Sequence, residues 1–139
     1  MEFYKCKHFK IEELVDPETF AKFGEGSWML FTPQVLRSAD AIRGYFNRAC
    51  VINDWKWGGA RKWSGFRPRL CSIGASFSQH RFGNGIDMLI DGIPAASARK
   101  EIIAHKDDIF TDIMCLEDDV GWLHFDCRNI PDRIRIVKP

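Results

Sequence analysis

Three residues of this sequence have side chains that could together hold a catalytic metal ion. They are His80, Asp87 and His124, which offer two imidazoles and one carboxylate. Two neutral imidazoles and a carboxylate form a ligand set for catalytic Zn²⁺ that leaves the fourth coordination position open for water. Because zinc activates such a water as a nucleophile, the ligand set predicts a hydrolase.

The sequence between His80 and Asp87 allows the two residues to meet. Asp87 follows His80 by seven residues, which is too far for one helical turn, but Gly83-Asn84-Gly85 allows a sharp reversal of the chain. Asp87 is followed by the apolar residues 88–90, which predict a core strand. Such a strand would hold the carboxylate rigidly.

The residues around His124 predict a strand with one polar and one apolar face. Side chains alternate along a strand, so His124 and Asp126 share a face with Trp122. Leu123 and Phe125 point to the opposite face and are expected to anchor the strand in the core. An imidazole and a carboxylate can therefore approach one accessible centre.

Each of these residues also has an ordinary structural explanation. A single histidine is most often exposed or hydrogen-bonded, and His124 could be a half-buried histidine of that kind. Asp87 could cap a turn near Gly85. His8 and His105 lie outside any motif and are expected to be structural or exposed. Spacing alone leaves these alternatives open.

Composition and charge predict one globular domain that spans residues 1–139. The chain is 45% hydrophobic and has five tryptophans, which is typical of a packed core rather than of disorder. Its formal net charge of +1 gives no general attraction to nucleic acid or to an anionic membrane. We therefore expect no nucleic-acid partner.

Cysteine usage and the absence of long apolar runs bear on the compartment. The five cysteines are odd in number, widely spaced and free of any C-x-x-C pair, which favours reduced thiols. Residues 1–8 lack the apolar run of a signal peptide, and no stretch approaches the ~20 apolar residues of a membrane span. We expect synthesis in the cytoplasm without membrane insertion.

Helix-start signals and hydrophobic periodicity predict an α+β fold. Asp16-Pro17 and Thr32-Pro33 each combine a capping residue with a proline suited to a first helical turn. Helices are predicted from residue 17, over 33–46 and over 97–110, and strands over 49–54, 88–90, 113–116, 121–127 and 133–137, the last at an edge. Residues 55–68 read as a surface loop. The expected architecture is a single compact domain with a mainly antiparallel sheet flanked by helices.

Three motifs resemble those of a known enzyme family. Ser78-x-His80-x-x-Gly83-x-Gly85-x-Asp87 is similar to the S-x-H-x-x-G-x-A-x-D signature of zinc D-alanyl-D-alanine carboxypeptidases and related peptidoglycan endopeptidases, whose metal core hedgehog signalling domains share. Residues 122–126 resemble the W-x-H-x-D element of this family, and residues 64–68 resemble its S-G-[YF]-R-S/P element. The similarity covers about residues 9–136.

The resemblance implies a fold like that of hedgehog domains and D-Ala-D-Ala peptidases, and a specific set of site residues. It implies Zn²⁺ held by His80, Asp87 and His124. It also implies that Arg67 binds a substrate carboxylate or carbonyl, a role that suits a guanidinium fork, although a structural salt bridge is the alternative. Ser78 and Gln79 are expected to line the pocket, with a turn as the alternative for Ser78.

The sequence departs from the family pattern at the general base. Many members have a glutamate three residues before the last histidine, whereas this chain has Gly121. The base is therefore expected from the acidic run 117–119, with Glu117 as the first candidate, and a solvated turn is the alternative for this run. Asp126 is a second candidate, with support of His124 as its alternative role.

The predicted function is zinc-dependent hydrolysis of peptide bonds in bacterial peptidoglycan stems, of carboxypeptidase or endopeptidase type. Without an export signal, such an enzyme is expected to act after release, as a phage endolysin, or within a virion. One alternative is a non-catalytic zinc module of the same fold that acts in binding or phage assembly. Another is single-strand nucleic-acid binding by the aromatic and basic residues of 55–67, although aromatic residues beside a substrate cleft explain the same segment.

Overall fold

The computed structural model describes residues 3–75 and 77–139, which form three α-helices beside one five-stranded sheet. The helices are α1 (Pro17–Phe23), α2 (Pro33–Phe46) and α3 (Ala95–Ala104). The strands are β1 (Cys50–Val51), β2 (Gly85–Ile90), β3 (Cys115–Glu117), β4 (Leu123–Asp126) and β5 (Arg135–Val137). The predicted α+β class is confirmed. Residues 1, 2 and 76 of the predicted domain lie outside the described residues.

The first two helices begin at the capping residues that the sequence indicates. Asp16 accepts a hydrogen bond from the backbone N–H of Thr19 at 3.1 Å, with Pro17 at the first helical position. Thr32 Oγ1 accepts from the backbone N–H of Val35 at 3.4 Å in the same way. The bounds of α2 are those predicted.

The sheet has the strand order β1-β2-β4-β3-β5 and is mainly antiparallel, as predicted. β5 lies at the edge and runs parallel to β3, so the sheet is mixed. In the register of the three central strands, Asp87 pairs with His124 and His124 pairs with Glu117. Residues directly opposite each other share a face, so these three side chains form one row across β2, β4 and β3.

The core lies on the sheet face opposite that row. Leu123 and Phe125 of β4 are buried there, next to Ile86 and Met88 of β2. Apolar residues of α2 and α3 complete the same cluster. The predicted division of β4 into an apolar anchoring face and a polar face is confirmed, because the polar row faces away from the helices.

The last predicted helix and all five predicted strands differ in extent from the observed elements. Strands β2, β4 and β5 differ by one to three residues from the predicted 88–90, 121–127 and 133–137. The strand predicted over 49–54 is limited to Cys50–Val51, because Asn53 turns away to donate its backbone N–H to Glu13 O at 2.9 Å and its side-chain amide to Val15 O at 3.2 Å. The helix predicted over 97–110 spans Ala95–Ala104. The last residues of the predicted range, 109 and 110, instead form turns in which their backbone N–H groups donate to the carbonyl of His105. β3 covers 115–117 rather than 113–116.

Two further features concern the whole chain. All five cysteines are free thiols, two of them buried and three half-buried. No helix among residues 3–75 and 77–139 has the length and apolar character needed to cross a membrane.

Candidate metal centre

His80 lies in a short 3₁₀ turn, Gln79–Phe82, that its flanking residues define. Ser78 caps the turn by accepting the His80 backbone N–H at 3.3 Å. Gly83 ends it with φ +62°, and a Cβ at Gly83 would collide with the carbonyl of Leu30. The reversal predicted from the glycines is therefore present, and it leaves His80 only 2% exposed.

The structure brings the three predicted metal ligands together. Asp87 Oδ1 lies 2.8 Å from His124 Nδ1 and 3.3 Å from His80 Nε2. All three residues are buried, and their ligand atoms lie within 4.8 Å of one another. This buried His-Asp-His group could hold a metal ion. Imidazole and carboxylate donors alone do not select one metal.

Each histidine has its second ring nitrogen engaged. His80 Nδ1 lies 2.8 Å from the carbonyl of Gly65, which only accepts, so Nδ1 carries the proton and Nε2 faces the centre. His124 Nε2 lies 2.9 Å from Asp126 Oδ2 and leaves Nδ1 facing the centre. Metal-binding histidines usually have such a carbonyl or carboxylate partner, which fixes tautomer and ring orientation.

Asp126 lies behind His124 and does not line the cleft. It is fully buried, and Arg128 binds it through Nε to Oδ1 at 2.8 Å and through Nη2 to Oδ2 at 2.7 Å. With both oxygens engaged and no exposure, Asp126 is placed to hold His124. Of the two roles expected for it, the geometry favours this support over that of a base.

The carboxylates beside His124 favour a positive charge on its ring. Burial would lower the pKa of His124, but its hydrogen bonds to Asp126 and Asp87 and their charges outweigh that effect and raise the pKa to about 9. Burial likewise opposes ionisation of Asp87, yet the two histidines hold the pKa of this carboxyl well below its usual range. Both shifts have the same cause, since the imidazoles and the carboxylates of the group stabilise each other's charged forms.

A cleft of about 590 Å³ opens above the three ligands. Pockets that bind small molecules usually have about 300–1,000 Å³, so the cleft is large enough for a peptide segment. Its lining includes every predicted site residue except Asp126: Arg67, Ser78, Gln79, His80, Asp87, Glu117 and His124. Phe77, Trp122, Arg128 and Lys138 also line the cleft.

Arg67 lies on the cleft wall and contacts the metal group. Its Nη2 is 3.3 Å from Asp87 Oδ2, and its Nε donates to the carbonyl of Trp63 at 2.7 Å. The side chain is 11% exposed. Arg67 thus makes the structural salt bridge while it still faces the space where a substrate would lie.

Ser78 and Gln79 take part in local structure at the cleft edge. Ser78 caps the turn of His80, the alternative role expected for it. Gln79 Oε1 accepts from Asn84 Nδ2 at 3.0 Å, and Asn84 Oδ1 accepts from Thr32 Oγ1 at 2.7 Å. Both residues are half-buried and shape the cleft as well as the turn.

Glu117 is the member of the acidic run that lines the cleft. It ends β3 opposite His124, and its carboxylate has no hydrogen bond or ion pair to any other described residue. Asp118 instead pairs with Arg99 at 3.4 Å, and Asp119 with Lys138 at 2.8 Å. A carboxylate free of partners and beside the ligands can exchange a proton with a molecule in the cleft.

Gly121, which stands where many peptidases have their base, does not line this cleft. It lines a separate cavity of about 90 Å³ with Met88 and Ile90. A Cβ there would meet no atom within 4 Å. Gly121 therefore contributes no acid to the metal cleft.

The remaining candidates lie elsewhere in the fold. His8 and His105 are outside the metal group, and His105 Nδ1 lies 3.3 Å from Asp108 Oδ2 at the surface. In the loop of residues 55–67, Trp55 Nε1 donates to Val15 O at 2.7 Å and Arg61 Nε to Ile52 O at 3.0 Å. These two side chains are used to hold the loop on the domain.

Sequence reasoning did not identify Arg128 and Lys138 as residues of the site. Arg128 stands two positions after Asp126, the expected partner of His124. A basic residue so close to Asp126 is the sequence signal that could have identified it. Lys138 follows β5, and only the pairing of β5 with β3 brings it to the cleft.

Comparisons of the chain with protein-family models, with curated proteins and with solved structures gave no match.

Proposed function

We propose that this protein is a zinc-dependent peptidase that hydrolyses peptide bonds in the stems of bacterial peptidoglycan. One observation carries the proposal: His80, Asp87 and His124 converge at the base of an open cleft, and both imidazoles are oriented by a partner at the other ring nitrogen. The resemblance of the three motifs to zinc D-alanyl-D-alanine peptidases points to the substrate.

The donor set fits zinc. Three protein ligands of histidine and carboxylate type, with space for a fourth on the cleft side, match catalytic zinc sites. When bound, Zn²⁺ supplies Lewis-acid activation of water and of the scissile carbonyl. The ordered partners Gly65 O and Asp126 would keep the two rings in position throughout the reaction.

Glu117 is assigned as the general base. It lies in the same row as Asp87 and His124, on the cleft face of the sheet. Its carboxylate would accept a proton from the attacking water and pass that proton to the leaving amine. The lack of any other described partner leaves both of its oxygens available for this transfer.

Arg67 is assigned to substrate binding. Its guanidinium is held by Trp63 O and Asp87, so its orientation is fixed before a substrate arrives. A fixed guanidinium can bind a stem carboxylate or the oxyanion that develops at the scissile carbonyl. Arg128 and Lys138 also line this cleft, where each is paired with a carboxylate, Asp126 and Asp119 respectively.

Digestion of purified peptidoglycan, followed by mass spectrometry of the products, tests the proposal. The zinc-loaded protein should release shortened stem peptides, and removal of the metal by a chelator should abolish the release. His80→Ala should lose metal and activity together, whereas Lys100→Ala, an exposed change on α3, should alter neither. Full hydrolysis after verified metal removal would contradict the proposal.

A non-catalytic zinc module of the same fold is the second candidate. The observation in its favour is Gly121 at the position of the usual glutamate. In this case the protein would bind zinc and peptidoglycan, or a phage component, without cleaving it. Zymography separates the two candidates, because stoichiometric zinc with no cleared zone would favour the module.

A further inference from the structure

A second groove lies beside the metal cleft. It encloses about 890 Å³ between α1 and residues 62–73, and Ile73 lines both this groove and the metal cleft. A ligand that crosses Ile73 can therefore contact both. Among the mapped cavities the groove has the largest volume, and the proposed chemistry does not use it.

One chain segment forms a wall of both spaces. Arg67 faces the metal cleft, while its neighbours Phe66 and Pro68 and nearby Trp63 line the groove. The hydrogen bond from Arg67 Nε to Trp63 O at 2.7 Å ties the two walls together. Arg81 holds the far end of this segment through the carbonyls of Arg69 and Cys71.

The groove carries an excess of exposed positive charge. Among its described lining residues, Lys22, Lys62 and Arg69 are exposed cations, while Glu18 is the exposed acid. Asp16 is buried and is engaged with Thr19 as a helix cap. The groove therefore suits a ligand with negative charge.

Aromatic rings accompany two of these cations. Lys22 Nζ lies 5.3 Å from the ring centre of Phe23, and Lys62 Nζ lies 5.5 Å from that of Trp63. Such pairs present an apolar surface and a positive charge side by side. A chain that alternates methyl groups and carboxylates would be complementary to both.

We propose that this groove binds the acidic peptide that continues from the scissile bond, so that the substrate is an extended peptidoglycan stem rather than a terminal dipeptide. The inference rests on the proposed function, since the metal cleft is where the scissile bond would lie. Continuity at Ile73 and the positive rim support it. A terminal dipeptide would need only the cleft above the metal group.

Calorimetric binding of two synthetic stem pentapeptides tests the proposal. One pentapeptide has a free glutamate α-carboxylate, and in the other this carboxylate is amidated. The zinc-loaded full chain with Glu117→Gln, which should slow cleavage during the measurement, is compared with and without the added change Lys62→Glu or Lys62→Glu/Arg69→Glu. Lys100→Glu, an exposed reversal on α3 outside the groove, is the matched control.

The acidic peptide should bind about three- to tenfold more tightly than the amidated one at low salt, because exposed ion pairs contribute modestly. Lys62→Glu should abolish this preference, the double reversal should invert it, and Lys100→Glu should leave it unchanged. A preference that survives the double reversal would overturn the inference.

The outcome also separates this inference from the proposed function. If the wild-type protein cleaves stems but the groove reversals leave the preference unchanged, the groove proposal is wrong and the peptidase proposal stands. If the preference depends on Lys62 but the wild-type protein cleaves no stem, the groove proposal stands and the peptidase proposal is wrong.

Discussion

At the scale of single residues, the partner of each histidine's second ring nitrogen fixes the orientation of that ring in the metal group. Asp126 holds His124 through Nε2 and is itself held by the two-pronged contact of Arg128. The contact between His124 and Asp126 could be predicted from the sequence, because the two residues share a strand face. The contact between the Gly65 carbonyl and His80 could not be predicted, because it joins two residues that are fifteen positions apart in the sequence.

Replacing the partner of His124 should weaken metal binding without removing a ligand. Asp126→Asn loses the negative charge that orients the ring and should lower zinc affinity about 10–100-fold. Competition with a chromophoric chelator measures this affinity. Asp119→Asn, a surface change beside Lys138, should leave it unchanged. Equal affinities in the two variants would contradict the role given to Asp126.

Removing the proposed base should separate catalysis from metal binding. Glu117→Gln keeps the shape of the side chain but cannot accept a proton, so kcat should fall about 10²–10⁴-fold while zinc content stays at the wild-type level. Stem hydrolysis and metal analysis on the same preparation measure both. Asp118→Asn, in the same acidic run but paired with Arg99, is the control and should keep most activity.

The stability of the metal-free protein should depend on pH through His124. The pKa of His124 in the folded protein is raised to about 9 from its ordinary value of 6.5, so the stabilisation is fully present below pH 6.5 and is lost as the pH rises through 9. The unfolding free energy should fall by about 3 kcal/mol over this range. Urea unfolding at several pH values measures it, and the zinc-loaded protein should lose much less.

At the scale of elements, the turn around His80 depends on a glycine. Gly83 has φ +62° and packs against the carbonyl of Leu30, so Gly83→Ala should cost about 1–3 kcal/mol and weaken zinc binding by displacing His80. Chemical denaturation measures the loss. Gly121→Ala is the matched control, because a Cβ there meets open space, and it should change stability by less than about 0.5 kcal/mol.

The sequence predicted elements well where local signals decide them. The cap and proline pairs at residues 16–17 and 32–33 place the starts of α1 and α2 correctly. Strand β4 follows from its alternation. The strand predicted near residue 50 is shorter because Asn53 bonds to Glu13 and Val15, distant residues that no local pattern reveals.

At the scale of the whole molecule, the strand order decides which acid reaches the metal. β3 and β2 both pair with β4, which puts Glu117 and Asp87 on either side of His124. Local patterns identified the candidates, but only the register places Glu117 in the cleft and leaves Asp118 and Asp119 to surface ion pairs. Arg128 and Lys138 enter the site by the same long-range arrangement.

Zinc-edge X-ray absorption on the purified protein tests whether His80, Asp87 and His124 hold one zinc ion. We predict one zinc per chain, with two imidazole nitrogens and carboxylate oxygen at about 2.0–2.2 Å and no sulfur. His124→Ala should lose this signal. Zinc bound through sulfur at about 2.3 Å, from any of the five free thiols, or a protein that retains no zinc, would rule out this metal site.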